Sequence, residues 1–186
     1  MPSQKFLKIL SMIFYPTNPA IPLIIVFSLA NVVNMLLAIF LISILPPIAV
    51  VYYVKKKKID IDIFERKYRT IPYIIAILSF ALAVAAFAYL KDSLMFAVAL
   101  AYLNVTIAMV VINLKWKISA HCSGIAGVAT DAAYVIGPLA YPLFILVPFV
   151  AFVRHKLNVH DIWQLVMGAI VAIIISYLTF SIAYPL

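Results

Sequence analysis

Residues 72–114 read PYIIAILSFALAVAAFAYLKDSLMFAVALAYLNVTIAMVVINL. The only charged side chains in the stretch are Lys91 and Asp92, and they are adjacent. A helical crossing of a bilayer takes about 20 apolar residues, with 17–25 tolerated. The stretch therefore divides into two crossings, 72–90 and 93–114, joined by a tight turn at Lys91-Asp92. A chain organised this way uses lipid as its main solvent.

The whole sequence agrees. Of 186 residues, 67% are hydrophobic and 11% charged, and the mean hydropathy is +1.17. A soluble domain carries roughly 25% charged residues, so a soluble globular enzyme, a secreted disulfide scaffold and a disordered tail are all excluded. Cys122 is the single cysteine, so no internal disulfide can form. The amino-terminal stretch does not read as a cleaved signal. Lys5 and Lys8 lead into apolar residues broken by Pro16, Pro19 and Pro22, with no small-residue cleavage site.

Residues 161–184 form a further span. Residues 19–54 are too long for one crossing at ~1.5 Å per residue; two short spans are expected, turning near Asn31–Asn34 or nearer Ser43–Pro47. Residues 121–153 pose the same problem, and Gly137-Pro138 is the natural break because proline cannot continue the helical ladder. The expected fold is all-α: a polytopic transmembrane helix bundle of about six spans, within a range of five to seven. It would be a single integral-membrane domain over residues 1–186, multi-pass in the cell membrane. No internal repeat or domain boundary is visible.

The formal charge is +8, and 11 of the 14 Lys and Arg lie in three gaps: Lys55 to Arg69, Lys115 to Lys117, and Arg154 to Lys156. Packing cations into short connectors is a membrane-protein pattern rather than that of a nucleic-acid-binding face. Two spans separate the first gap from the second, and two short spans separate the second from the third. An even number of crossings returns the chain to the same face, so all three gaps are expected at one end of the bundle. Basic loops also gather on the cytoplasmic side to set topology, which accounts well for Lys55–Lys58. It accounts less well for Arg69, His121, Arg154 and His160, which sit at span edges where ionisable groups are costly and usually functional.

The second gap continues as Lys117-Ile118-Ser119-Ala120-His121-Cys122-Ser123-Gly124. A hydroxyl and an imidazole stand here at the mouth of a helix, whose free N–H groups and positive dipole end suit a phosphate. Read alone, Ser-x-His at a helix start is more often a cap. The third gap runs Arg154-His155-Lys156-Leu157-Asn158-Val159-His160-Asp161-Ile162-Trp163-Gln164, with Gly168 one turn beyond. Gln164 falls one turn after His160 on the same helical face. Its amide can accept from Nδ1–H, fix the tautomer and leave Nε2 as a nucleophile. The plainer reading is an interfacial histidine bonded to a lipid headgroup.

Taken together, the two gaps resemble the type 2 phosphatidic acid phosphatase superfamily, and the resemblance spans nearly the whole chain. Ser119 and His121 stand at the Ser and His of its Pro-Ser-Gly-His motif, and Arg154 and His160 at the Arg and His of its Ser-Arg-x5-His-x3-Asp motif. More loosely, residues 60–72 look like the Arg-x2-Arg-x2-Pro segment of compact prokaryotic members. The departures are Ile118 for proline, Ala120 for glycine, Val153 for serine and Gln164 for aspartate. A neutral amide orients an imidazole but supports a developing imidazolium less than a carboxylate does.

The resemblance implies a metal-independent hydrolase without cofactor, acting on a lipid phosphate such as a phosphatidate-like or polyprenyl (pyro)phosphate. His160 would attack phosphorus and become a phosphohistidine. His121 would protonate the leaving oxygen and then activate water. Arg154 and Ser119 would hold the phosphoryl group, with Arg69, Arg66 and Lys117 competing for the remaining phosphate-binding role. The acids near the gaps are too scattered for a two-metal site. Asp131 reads as a paired structural group away from the gaps. The rival classes are a non-catalytic membrane carrier or lipid-binding protein with a basic face, and a prenyltransferase-type enzyme, which would need aspartate-rich magnesium motifs that are missing. Membrane lipids are the expected partners, nucleic acid is not, and oligomeric state is not encoded visibly.

Overall fold

The computed structural model describes residues 3–59, 63, 65 and 68–185. Every regular element among them is helical: α1 (Gln4–Ile13), α2 (Ala20–Phe27), α3 (Val32–Lys57), α4 (Thr70–Tyr89), α5 (Ser93–Asn113), α6 (Ala120–Ile136), α7 (Leu146–Lys156) and α8 (Ile162–Ala183). Among the described residues, five segments are long and apolar enough to cross a membrane: α3, α4, α5, α8 and the continuous stretch Ala120–Lys156. Large apolar side chains such as Leu78, Leu82, Val111, Ile145 and Ile182 stay exposed. Water would penalise that surface, whereas lipid tails would not.

The helix starts are chemically marked. Asp92 caps α5 by accepting from the Met95 N–H at 3.0 Å and also accepts from Asn34 Nδ2 at 2.7 Å. This fixes the Lys91-Asp92 turn beside the start of α3. Asn31 caps α3 by accepting from the Asn34 N–H. The turn in residues 19–54 therefore falls at 28–31, close to the first of the two expected positions. No turn occurs at Pro46-Pro47. There the helix widens into a π-helical turn over Ile39–Ile44, because two prolines withhold their N–H groups from the carbonyls before them. Side chains satisfy the released carbonyls: Thr17 Oγ1 donates to Ser43 O, and Ser79 Oγ donates to Leu41 O at 2.6 Å.

The number of apolar segments stays within the expected five to seven among the described residues, but residues 19–54 do not form two full-length spans. The eight residues of α2 reach only about 12 Å, and Thr17, just before it, bonds to the middle of α3. The amino-terminal stretch thus runs partly as irregular chain, and α2 by itself is too short to be a full helical crossing.

Residues 120–156 contain the expected break. As one straight helix they would stretch about 55 Å, yet His121 and Arg154 line the same cavity. The chain reverses through the 3₁₀ segment Gly137–Ile145, where Gly137 adopts φ 72°, a left-handed conformation suited to glycine. The resulting arms, α6 and α7, pack against each other. The most extensive helix pairings are α6 with α8, α4 with α5, and α5 with α8. The main core gathers Phe80, Phe87, Met95, Val98 and Phe180, at a distance from the basic gaps.

Candidate functional site

The three basic gaps deliver two arginines and two histidines to a common place, each through an identifiable local device. Arg69, at the start of α4, is buried. Its Nε donates to Ile63 O at 2.8 Å and its Nη1 to Ile118 O at 3.3 Å, tying the first gap to the second. His121 lies in the first turn of α6, which Ser119 caps by accepting from the Cys122 N–H. Arg154 comes from the last turn of α7 and is 1% exposed. His160 lies in the short link before α8. Asp161 caps that helix by accepting from the Gln164 N–H at 2.9 Å, which brings Gln164 Oε1 to 2.9 Å from His160 Nδ1.

Arg69, His121, Arg154 and His160 line a single cavity of about 150 Å³. The starts of α6 and α8 are stitched together where the Ser119 N–H donates to Gln164 O at 3.1 Å. Their approach depends on Gly168, where a Cβ would lie 2.6 Å from Ser119 O.

The ring of His160 is neutral at pH 7. Burial pushes its pKa down to about 3, and the charges of Arg69, Arg154 and Lys117 push the same way, against the raising effect of the Gln164 hydrogen bond. Because an amide oxygen only accepts, the Gln164 contact puts the ring proton on Nδ1 and leaves the lone pair on Nε2.

Not every candidate lies on the cavity wall. Ser119 is fully buried as a helix cap against α8 and does not line the cavity. Gln164 stands behind His160, and Lys117 acts on His160 through its charge. Arg66 lies outside the described residues. Two further residues join from the amino terminus. Ser11, on the inner face of α1, accepts from Arg154 Nη1 and has its Oγ 3.3 Å from His121 Nε2. The Tyr15 ring meets the His121 ring edge-on, with centroids 6.0 Å apart. Ser11 is 110 residues from His121 and 143 from Arg154, and no motif marks it.

Asp131 is expected as a paired group away from the gaps, and the cavity extends to it. It lines the inner end of the same cavity, with Ser176 as one hydrogen-bond partner and Oδ1 without any.

Chemically, the rim offers two guanidinium groups, a neutral imidazole with its tautomer fixed, and a second imidazole beside a hydroxyl. Such a set has the chemistry to grip a tetrahedral oxyanion and to supply both a nucleophile and a proton carrier. Compared with family models, curated proteins and solved structures, this chain matches none. Among the described residues, no three His, Cys, Asp or Glu side chains gather where a metal ion could be held.

Proposed function

We propose that the protein hydrolyses the phosphate ester, or pyrophosphate, of a membrane lipid through a phosphohistidine intermediate. The observation that carries this reading is the convergence of Arg69, His121, Arg154 and His160 on one cavity, with Gln164 oriented on His160 Nδ1. The residue spacings that resemble the type 2 phosphatidic acid phosphatase superfamily support it independently.

Uncatalysed phosphomonoester hydrolysis is among the slowest of biological reactions, and most of the barrier is lowered by positioning and by cations around the phosphoryl oxygens. In this reading Arg69 and Arg154 hold those oxygens. His160 Nε2 attacks phosphorus, forming the N–P bond as the P–O bond to the lipid breaks. His121 gives a proton to the departing oxygen and then takes one from the water that cleaves the N–P bond. Gln164 is a positioning residue acting through His160. Ser119 supports the same geometry as the cap that sets the start of α6, and Lys117 adds positive charge near the rim. The cavity lies within a bundle whose apolar segments can cross a membrane. A lipid fits there because its phosphate can enter the basic rim while its apolar part stays out of water.

The test is phosphate release from a detergent-dispersed lipid phosphate by purified protein, with and without EDTA. The reading requires release that survives chelation and drops by at least 10³-fold in His160→Ala, the scale on which covalent machinery acts. Acid-labile, base-stable labelling of wild type by ³²P-substrate would trap the intermediate. Equal release by wild type and His160→Ala refutes the assignment of His160. Binding of the lipid phosphate with no release by wild type would favour a carrier.

A further inference from the structure

We propose that the inner end of the cavity is a second recognition site, formed by Asp131, Tyr102 and Ser176, which takes a hydroxyl group at the far end of the ligand. Three helices bring one polar side chain each to this place: α5 carries Tyr102, α6 carries Asp131 and α8 carries Ser176, and all three line the same cavity as the rim. Asp131 is 1% exposed, and neither its Oδ1 nor the Tyr102 hydroxyl has a hydrogen-bond partner. Polar groups at membrane depth are expensive and usually functional, and leaving two of them unsatisfied adds the cost of lost hydrogen bonds.

The chemistry on offer selects the ligand. A carboxyl oxygen accepts, and a phenol donates or accepts. An alcohol, which does both, satisfies the two orphaned atoms at once; a methyl group satisfies neither.

The helices give the length. Asp131 is ten residues beyond His121, so it lies about 15 Å deeper along α6, and Tyr102 lies about 17 Å from the end of α5 at Asn113. Apolar side chains, among them Val50, Val105 and Met109, also line the cavity. An extended chain spans roughly 1.2 Å per bond, from about 3.6 Å per three-bond residue; with about 2.8 Å of the depth taken up by the hydrogen bond at the floor, some ten to twelve bonds link the phosphate end to the floor. The ligand class is therefore a phosphorylated chain of about ten carbons ending in a hydroxyl, threaded into the bundle. A long tail left entirely in the bilayer would make no use of the floor.

This inference rests on the phosphate site proposed at the rim, and it can be tested without turnover. Decylphosphonate and 10-hydroxydecylphosphonate, neither of which is hydrolysed, are titrated into the full-length protein in nanodiscs, with empty nanodiscs as the baseline. A site built around a hydroxyl rejects the analogue lacking it far more strongly than a site built around a methylene. The expected result is at least tenfold tighter binding of the hydroxylated compound, with the preference reduced to less than threefold in Asp131→Leu. Tyr102→Phe, a milder change, should weaken the preference without abolishing it.

Equal binding of the two compounds by wild type overturns the proposal whatever the variants do. A preference that persists in folded Asp131→Leu overturns the role of Asp131. Loss of phosphatase activity in all assays, with the hydroxyl preference intact, would instead remove the hydrolytic reading and leave this site standing.

Discussion

Gly168→Ala probes the crossing that holds the two histidine-bearing helix starts together. The added Cβ would lie 2.6 Å from the Ser119 carbonyl oxygen, where ordinary contact begins at 3.4 Å. Backbone must therefore separate by about 0.8 Å, the difference between those values. The alanine gains up to about 1 kcal/mol in helix propensity, while overpacking of a closed contact costs about 1–3 kcal/mol or more. The net expectation is a loss of about 1–2 kcal/mol, or a fall of roughly 3–6 °C in Tm for a chain of this size. Gly127→Ala is the matched control. Its Cβ would meet only Ser176 Oγ at 3.4 Å, so it should be neutral or mildly stabilising. Gly124→Ala should be the most damaging of the three, because its Cβ would collide with the backbone of Pro16. The assay is thermal unfolding in one detergent, followed by near-ultraviolet circular dichroism. If Gly168→Ala melts at or above wild type while Gly127→Ala does not exceed it, the close approach of α6 and α8 is wrong. Phosphate release should fall further than stability does, because displacements near 1 Å at a reacting centre cost on the order of 10²-fold.

Other expectations follow from single contacts. Asp92→Ala removes both the cap of α5 and the acceptor for Asn34. It should cost about 1–2 kcal/mol, read as a Tm shift that Asn34→Ala does not fully add to. Arg154→Met removes the donor to Ser11 and should increase amide exchange across Gln4–Ile13 selectively, because α1 otherwise rests on the small cluster Leu7, Val153, Leu157 and Val159. Equal protection in both proteins would contradict that anchoring. The His160 ring should titrate near 3 in ring-labelled NMR and higher in Arg69→Gln, since Arg69 is the largest charge acting on it. The sign for stability follows. The folded protein binds fewer protons than the unfolded chain between about pH 3 and the ordinary histidine value of 6.5, so this contribution is full above 6.5 and is lost as pH falls through that window. A folded-state titration at or above 6.5 would refute the buried, cation-flanked placement.

Much of this arrangement is written locally. The apolar stretches 72–90 and 93–114 announce two helices because lipid requires a minimum run of apolar residues, and Lys91-Asp92 marks the turn because charge has to leave the hydrocarbon. The positions of Arg69, Arg154, His121 and His160 at span edges, together with crossing parity, already direct them to one end. Gln164 one turn beyond His160 is likewise legible from helical spacing alone. The amino-terminal segment is not: α2 is apolar enough to pass for part of a crossing, and only its eight-residue length and the bonds of Thr17, just before it, to the middle of α3 show that it is not a full-length span. Ser119 illustrates the opposite limit, since a serine beside a histidine motif has the same spelling whether its hydroxyl faces a ligand or caps a helix.

The sequence by itself therefore determined the apolar, membrane-length segments, the helical class and the end of the bundle at which the cations collect, because hydropathy, turn chemistry and parity act over short distances along the chain. Only the tertiary structure decided that Ser11 and Tyr15 reach His121, that Gly168 admits Ser119, and that Asp131 and Tyr102 close the same cavity from below. Those relations join residues far apart in the chain, and the packing of helix surfaces sets them.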